Sequence, residues 1–183
     1  MDSRWSQELR VVVLADTHLR TPRPGSPSTA KRLPEAAWSR LTGADAILHA
    51  GDVLDVGVLD SLRAIAPVYA VLGNNDLSLG GVLPEVLVVD LGGIRIGMIH
   101  DSGPSTGRSA RMRRRFPDTD VVVFGHSHAP MNEIGVDGQL LFNPGSATQR
   151  RAQPVHTLGE LRMSGGALID HRIIALDGSH GTF

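Results

Sequence analysis

Three short apolar runs in the first half of the chain each end at a cluster of Asp, His or Asn side chains. The runs cover residues 9–15, 45–50 and 68–72, and their length and valine content are typical of buried strands. Helical patterns at residues 34–41 and after Asp55 separate them. Strands that alternate with helices build a mostly parallel sheet, and ligands gather at the carboxyl ends of such strands. We therefore expect the polar clusters to converge in space.

Two further apolar runs, in the second half of the chain, also end at histidine. One is the second strand of a hairpin about residues 92–93, and the other covers residues 120–124. An arginine-rich helical pattern at residues 105–116 lies between them. Strand pairs about residues 137–138 and 164–166 follow, and this pattern predicts a second, mainly antiparallel sheet. The five polar clusters are Asp16-Thr17-His18, Gly51-Asp52, Gly73-Asn74-Asn75-Asp76, His100 and Gly125-His126-Ser127-His128.

The composition is that of a soluble globular domain. The chain has 183 residues, of which 41% are hydrophobic and 20% charged, enough for a core without covalent cross-links. We expect a single domain over residues 1–183, with its core at about residues 9–176 and short terminal tails. No apolar run is long enough to span a membrane, so we expect a cytoplasmic protein with no membrane partner. A net charge of -1 gives no general attraction to nucleic acid.

The residue types at the strand ends are those of a metal site without sulfur. The chain has no cysteine, so oxygen and imidazole ligands must hold any metal. Asp16 and His18 point the same way in a strand-like stretch, where they are spaced to grip one cation, and His126 and His128 repeat that spacing. Asp52 is a lone carboxylate after a glycine, which suits a bridge between two cations. We expect two divalent ions, with manganese favoured over iron, zinc or nickel.

The order of these clusters resembles that of the calcineurin-like metallophosphoesterases and, within them, the small YfcE-type phosphodiesterase branch. The shared motifs are DTH, GD, GNND, a lone histidine, GHSH and NPGS, and they extend the resemblance over about residues 9–176. The resemblance implies an α/β fold, a four-layer α-β-β-α sandwich of two mixed sheets flanked by helices. It also implies two metal-ligand sets that share Asp52 as a bridge. The first set is Asp16, His18, Asp52 and His128, and the second is Asp52, Asn74, His100 and His126.

The resemblance implies a divalent-metal-dependent phosphoesterase. We expect a hydroxide shared between the metals to attack the phosphorus of a phosphodiester, with Asp52, Asn74 and His100 as catalytic residues. In many relatives a histidine that protonates the leaving group follows the ligand asparagine, but Asn75 holds that position in this chain. An amide cannot act as a general acid near neutral pH. The change favours phosphodiesters over the substrates of a conventional phosphatase.

Several residues near the motifs have both a structural and a functional interpretation. Arg108 and Arg111, in the run RSARMRRR, belong to a solvated helix face or, together with Asn75, contact the substrate phosphate. We expect His49 to be a hydrogen-bonded core or supporting histidine rather than a ligand. Asp76 is expected to cap a turn or to orient the loop of the ligand asparagine.

Two other functions stay open at this stage. A non-catalytic metal-binding scaffold on the same fold, as in the retromer subunit that resembles this branch, would keep the ligands without hydrolysis. A nuclease would use the arginine run, and a nucleic-acid partner is therefore open but not favoured over a small phosphodiester substrate. A homo-oligomer is compatible with the sequence. We expect the loops at residues 20–30 and 80–84 to shape the pocket, and NPGS at residues 143–146 to form a turn whose amides line the site wall.

Overall fold

The computed structural model describes residues 7–21 and 32–179, so most of the predicted loop at residues 20–30 and the tail from residue 180 lie outside the described residues. Within the described part, no helix is both long and apolar enough to cross a membrane. The helices and strands there are, in chain order, β1 (Leu9–Leu14), α1 (Glu35–Leu41), β2 (Ala46–His49), α2 (Val56–Arg63), β3 (Val68–Ala70), β4 (Val86–Leu91), β5 (Ile94–Ile99), α3 (Arg108–Arg115), β6 (Val121–Val123), β7 (Met131–Ile134), β8 (Leu140–Asn143), β9 (Thr157–Ser164) and β10 (Ala167–Ala175).

The strands form two five-stranded mixed sheets. The first has the order β10-β9-β1-β2-β3, and the second has the order β4-β5-β6-β8-β7. Strands β1, β2 and β3 run parallel, as the sequence predicts, and so do β5, β6 and β8. Because parallel strands end at the same edge of a sheet, the loops after β1, β2 and β3 meet at one edge, and so do those after β5 and β6.

Alternating side chains bury both faces of the central strands. Val11 and Val13 of β1 enter the core between the two sheets, whereas Val12 packs in a second core with the side chains of α1 and α2. Helix α3 covers the outer face of the second sheet through Met112 and Phe116. The four-layer α-β-β-α sandwich of two mixed sheets flanked by helices is confirmed. Full burial of a Val or Leu side chain contributes about 1.5–3 kcal/mol.

The hairpin of β9 and β10 lies in the first sheet, so the prediction that it joins a second, mainly antiparallel sheet is wrong. β9 pairs antiparallel with β1, with Glu160 opposite Val12, and Leu161 enters the core between the sheets. The second sheet is mixed because its three central strands run parallel. An alternating pattern indicates that one face of a hairpin is buried, but it does not specify which sheet edge the hairpin pairs with.

The helix ends follow local side-chain chemistry. The Asp55 carboxylate accepts the Gly57 amide at 2.9 Å and caps α2, as predicted. Helix α3 begins at Arg108 rather than near residue 105, because Gly107 adopts a left-handed conformation with φ 69° just before it. The basic last turn of α3 complements the negative end of its helix dipole.

Candidate metal centre

The ends of five parallel strands bring the predicted ligands together at one place. The strand ends supply three imidazoles from the second sheet and one from the first, together with two carboxylates and an amide oxygen. β1 leads to Asp16 and His18, β2 to Asp52, β3 to Asn74, β5 to His100, and β6 to His126 and His128.

The Asp52 carboxylate lies between two groups of nitrogen donors. Its Oδ2 atom is 3.4 Å from His18 Nε2 and 3.5 Å from His100 Nε2. The residue is 1% exposed, so little water competes for this oxygen. This is the position that a carboxylate bridging two cations requires.

The first group of donors is deep in the protein. His18 Nε2 lies 3.3 Å from His128 Nε2, and the two rings are stacked with their centroids 5.2 Å apart. Asp16 Oδ1 is 3.6 Å from His128 Nε2, and both residues are fully buried. The ligand atoms of Asp16, His18 and His128 all lie within 4.8 Å of one another. One cation coordinated by all three would fill that span.

The second group of donors is closer to solvent. Asn74 Oδ1 is 2.9 Å from His100 Nε2 and 3.0 Å from His126 Nδ1. Asn74 and His126 are exposed, and a cavity of about 280 Å³ borders Asn74 and His100. This side of the centre is therefore open to small molecules from solvent. Asp16 reaches this group as well, because its carboxylate lies within 4.8 Å of the ligand atoms of Asp52 and His100.

Backbone carbonyls fix the orientation of two of the imidazoles. Nδ1 of His100 is 2.7 Å from the Ala50 carbonyl oxygen, and Nδ1 of His128 is 2.5 Å from that of Gln149. A carbonyl can only accept, so each Nδ1 carries the proton and each Nε2 presents its lone pair to the site. His126 instead turns Nδ1 toward the other donors.

The backbone at the ligands is left-handed, so the prediction of strand-like DxH and HxH stretches is wrong. Asp16, His18, Asp52, His126 and His128 have φ angles of 53°, 46°, 60°, 68° and 58°. Non-glycine residues in this region cost about 1–3 kcal/mol each and cluster at functional sites. The conformation is held by hydrogen bonds between loops, because the amides of Asp16 and His18 donate to the carbonyls of residues 51 and 52 at 3.0 and 2.8 Å.

Asp76 holds the Asp52 loop and the Asn74 loop together, as the sequence predicts for a residue that orients the asparagine loop. Its buried carboxylate accepts three backbone amides, those of Asp52 and Gly73 at 2.8 Å each and that of Leu54 at 2.7 Å. Gly73 makes the close approach feasible, since a Cβ there would lie 2.2 Å from the Asp52 nitrogen.

The titration of the acidic and imidazole groups is shaped by burial. Burial, and then the charge of Asp52, raises the pKa of Asp16 from 3.8 to about 7. Burial likewise lowers the pKa of His128 from 6.5 to about 4, so its imidazole is neutral and able to ligate. Burial raises the pKa of Asp52, but two hydrogen bonds from Asn75 and the neighbouring imidazoles outweigh it and hold that pKa below its ordinary value.

The residues present fit a pair of divalent cations. Asp16 Oδ2 is buried and has no hydrogen-bond partner among residues 7–21 and 32–179. An unpartnered buried carboxylate oxygen is costly unless a cation accompanies it. Imidazole and carboxylate donors without sulfur suit manganese, iron or zinc.

We expect the affinity for Mn²⁺ to fall as the pH is lowered through about 7. Asp16 must lose a proton before it ligates, and its pKa in the metal-free protein is about 7, whereas His128 stays neutral down to about 4. One competing proton weakens binding about tenfold per pH unit below that pKa. Titration calorimetry at about pH 6 and about pH 8 measures the change, and an affinity equal at both values would contradict it.

Comparisons with known proteins point to the same chemistry. A family model described as the calcineurin-like phosphoesterase superfamily domain matches residues 9–165. The chain belongs to the calcineurin-like phosphoesterase superfamily. A probable metallophosphoesterase from Methanothermobacter thermautotrophicus is 32% identical over 142 residues, which cover 76% of this chain and 77% of that protein. The probable metallophosphoesterase MJ0623 from Methanocaldococcus jannaschii is 37% identical over 142 residues, covering 76% of this chain and 68% of that protein.

Similarity to solved structures supports the fold. Wild-type Vps29 from Entamoeba histolytica, complexed with Zn²⁺, superimposes with a TM-score of 0.65. The two chains are 23% identical, and the match covers 92% of this phosphoesterase-family chain and 99% of Vps29. The same sandwich therefore recurs in a eukaryotic chain of distant sequence.

The NPGS motif supports the ligand loops of this calcineurin-like chain rather than forming only a turn. Asn143 Nδ2 donates to the Gly125 carbonyl at 3.0 Å, and the Ser146 hydroxyl donates to the Asp16 carbonyl at 2.8 Å. Asn143 and Ser146 are buried. The motif thus ties the DTH loop to the GHSH loop. Sequence analysis missed this role because the partners are up to 130 residues apart.

His49 supports the centre from the core, as expected. It is fully buried, and its Nε2 is 3.0 Å from the Thr17 hydroxyl, between the two ligands of the DTH motif. Burial, and then the charge of His100, lowers the pKa of His49 to about 3, so it is a neutral imidazole. Its Nδ1 has no hydrogen-bond partner within the described part of the chain.

Of the three predicted substrate-binding residues, Asn75 contacts a proposed metal ligand, whereas Arg108 and Arg111 contact a backbone segment outside the ligand loops. Asn75 contacts Asp52 directly, through its backbone amide at 2.8 Å and its side-chain Nδ2 at 2.7 Å. Arg111 donates to the Ser102 carbonyl, and Arg108 donates to the Gly103 carbonyl at 3.3 Å with its guanidinium over the Phe124 ring. Both arginines therefore bind the segment that follows His100.

Proposed function

We propose that this chain is a phosphodiesterase that cleaves small phosphodiesters at a centre of two divalent cations, with manganese favoured over iron, zinc or nickel. The observation that carries the proposal is the position of Asp52 Oδ2, 3.4 Å from His18 Nε2 and 3.5 Å from His100 Nε2. It separates a buried donor group from one that is open to solvent. The proposed ligands are Asp16, His18, Asp52, Asn74, His100, His126 and His128.

Two divalent cations in this site would supply an activated water for in-line attack on phosphorus and neutralise the charge that develops on the phosphate. The chain's own residues do the orienting. The Ala50 and Gln149 carbonyls hold two imidazoles with Nε2 toward the site, and Asp76 fixes the backbone of Asp52. Preorganised groups of this kind cost no reorganisation during the reaction.

Asn75 supports the choice of a diester substrate. Its backbone N–H donates to Asp52 Oδ1 and its side-chain Nδ2 donates to Asp52 Oδ2, and these two bonds help to aim the proposed bridge. An amide cannot protonate a leaving group near neutral pH, so the reaction depends on a leaving group that departs readily as an anion. We propose that Asn75, which is exposed, also donates to the substrate phosphate once a cation takes Asp52 Oδ2.

The test is the hydrolysis of bis-p-nitrophenyl phosphate by purified protein. We expect turnover with Mn²⁺, none after chelation, and full recovery when Mn²⁺ is restored. The monoester p-nitrophenyl phosphate has the same leaving group but carries more negative charge, which repels the attacking nucleophile. Its kcat/KM should therefore be lower than that of the diester by about tenfold or more. Absence of metal-dependent diester hydrolysis would contradict the proposal, and metal binding without hydrolysis would favour the scaffold alternative.

A nuclease receives less support from the arginine run. Arg111 is engaged with backbone carbonyls of its own loop, and Arg113 pairs with Asp137 at 3.1 Å. Equal rates on single-stranded DNA and on the small diester would revive that alternative. The cytoplasm as compartment remains part of the proposal.

A further inference from the structure

Arg151 lies beside the candidate metal centre, on a loop that sequence analysis did not single out. Its Nη1 donates to the backbone carbonyl of His126 at 3.2 Å. Among the described residues, the other N–H groups of its guanidinium have no hydrogen-bond partner, and the residue is exposed. The guanidinium is therefore fixed at one point and free to donate elsewhere.

The loop that carries Arg151 is fastened to the ligand loops. The hydroxyls of Ser146 and Thr148 donate to the carbonyls of Asp16 and Thr17 at 2.8 and 2.5 Å. The next residue, Gln149, accepts from His128 through its carbonyl, as described above. Arg151 itself has a φ of 50°, a conformation that favours glycine. The position of its side chain thus follows the position of the metal ligands.

The charge of Arg151 acts on the centre from the solvent side. The guanidinium donates to the backbone carbonyl of His126, a proposed metal ligand, so its positive charge lies next to the centre. A fixed positive charge at this distance repels divalent cations and attracts anions. Metal binding therefore gives no reason for an arginine here, whereas an anion bound at the metals does.

We propose that Arg151 clamps a non-bridging oxygen of the phosphate group bound at the metal centre and is a specificity-determining residue. This inference rests on the proposed function and names the residue that recognises the substrate's charge. Arg108 and Arg111 are less suited, because their guanidinium groups are engaged with the segment that follows His100. A guanidinium fits two phosphate oxygens at once, which gives orientation as well as affinity.

The experiment compares Arg151→Gln with Arg150→Gln, which removes the same charge one residue away. The Arg150 side chain donates to the Gln153 carbonyl of its own loop. The probe is inorganic phosphate, titrated calorimetrically into Mn²⁺-loaded protein. We expect Arg151→Gln to weaken phosphate binding about 10- to 100-fold, as for the loss of a charge-assisted hydrogen-bond pair. Its affinity for Mn²⁺ should stay equal or increase, because a repelling charge is removed. Arg150→Gln should change phosphate binding less than about threefold.

A loss of phosphate affinity without a loss of Mn²⁺ affinity in Arg151→Gln would indicate a role in substrate recognition rather than in structure. A parallel loss of Mn²⁺ and phosphate affinity in Arg151→Gln, or equal effects of the two variants, would overturn the inference. If Arg151→Gln does not fold, Arg151→Lys serves instead, because it keeps the charge but loses the paired N–H donors. It should weaken phosphate binding and leave Mn²⁺ binding unchanged, and wild-type phosphate affinity in this variant would overturn the inference. If the wild type hydrolyses the diester and Arg151→Gln binds phosphate as tightly as the wild type, only this inference is refuted. Wild-type protein that binds no metal would refute the proposed function itself.

Discussion

Asp52→Asn is expected to reduce the metal content to at most one ion per chain and to slow the hydrolysis of bis-p-nitrophenyl phosphate by about 10³-fold or more. The physical reason is the position of one oxygen, since Oδ2 faces His18 on one side and His100 on the other. An amide keeps the shape of the side chain but offers one weaker, neutral oxygen in place of a shared anion. Elemental analysis and steady-state kinetics measure the two effects.

The loss in Asp52→Asn should not come from unfolding. In the metal-free protein, the charge of Asp52 raises the pKa of Asp16, so two buried carboxylates repel each other. Removing one charge relieves that repulsion, but one of the two Asn75 donors loses its acceptor. These effects oppose each other, so the metal-free variant should stay folded and melt at a temperature close to that of the wild type. Asp60→Asn, exposed on α2, serves as the matched control. Two bound ions and wild-type rates in Asp52→Asn would show that this carboxylate is no bridge.

Asp76→Ala is expected to lower the free energy of unfolding by about 3 kcal/mol or more, because three amides, two of them in buried hydrogen bonds, lose their acceptor. Each unsatisfied buried donor costs about 1–3 kcal/mol. The amides are those of Asp52, Leu54 and Gly73. Since domains are stable by only about 5–15 kcal/mol, the loss is large. Urea unfolding of the metal-free protein measures it.

The control for this prediction is Asp60→Ala, which also removes a carboxylate but from an exposed position that pairs with Arg63. Its effect should stay within about 0.5 kcal/mol. A variant Asp76→Asn, which keeps one acceptor oxygen, should fall between the wild type and Asp76→Ala. If Asp76→Ala and Asp60→Ala unfold at the same urea concentration, Asp76 does not hold the loops together.

The placement of the ligands at strand ends could be predicted from sequence because it depends on local patterns. Apolar runs such as residues 9–15 form buried strands, and the polar residue after such a run lies at the strand's carboxyl end. Parallel pairing then brings Asp16, Asp52 and Asn74 to one edge. The hairpins about residues 92–93 and 164–166 could also be predicted from local sequence, because glycines with positive φ form their turns.

The features that sequence could not predict depend on contacts between distant segments. The β9–β10 hairpin pairs with β1 rather than with the second sheet, and its alternation fits either edge. The left-handed backbone at Asp16 and His126 is imposed by hydrogen bonds from other loops, against local preference. Arg151 lies in a loop that is positioned by the hydrogen bond of the buried Ser146 to Asp16. No local sequence pattern therefore predicts that Arg151 contacts His126.

The central claim is that Asp52 bridges two cations held by the other six ligands. Anomalous diffraction from crystals soaked in Mn²⁺, recorded at the manganese edge, tests it most directly. We predict two peaks about 3.5–4 Å apart, both within coordination distance of the Asp52 carboxylate. The deep ion should contact His18 and His128, and the outer ion His100 and His126. A single peak, or two peaks that do not share Asp52, would contradict the account.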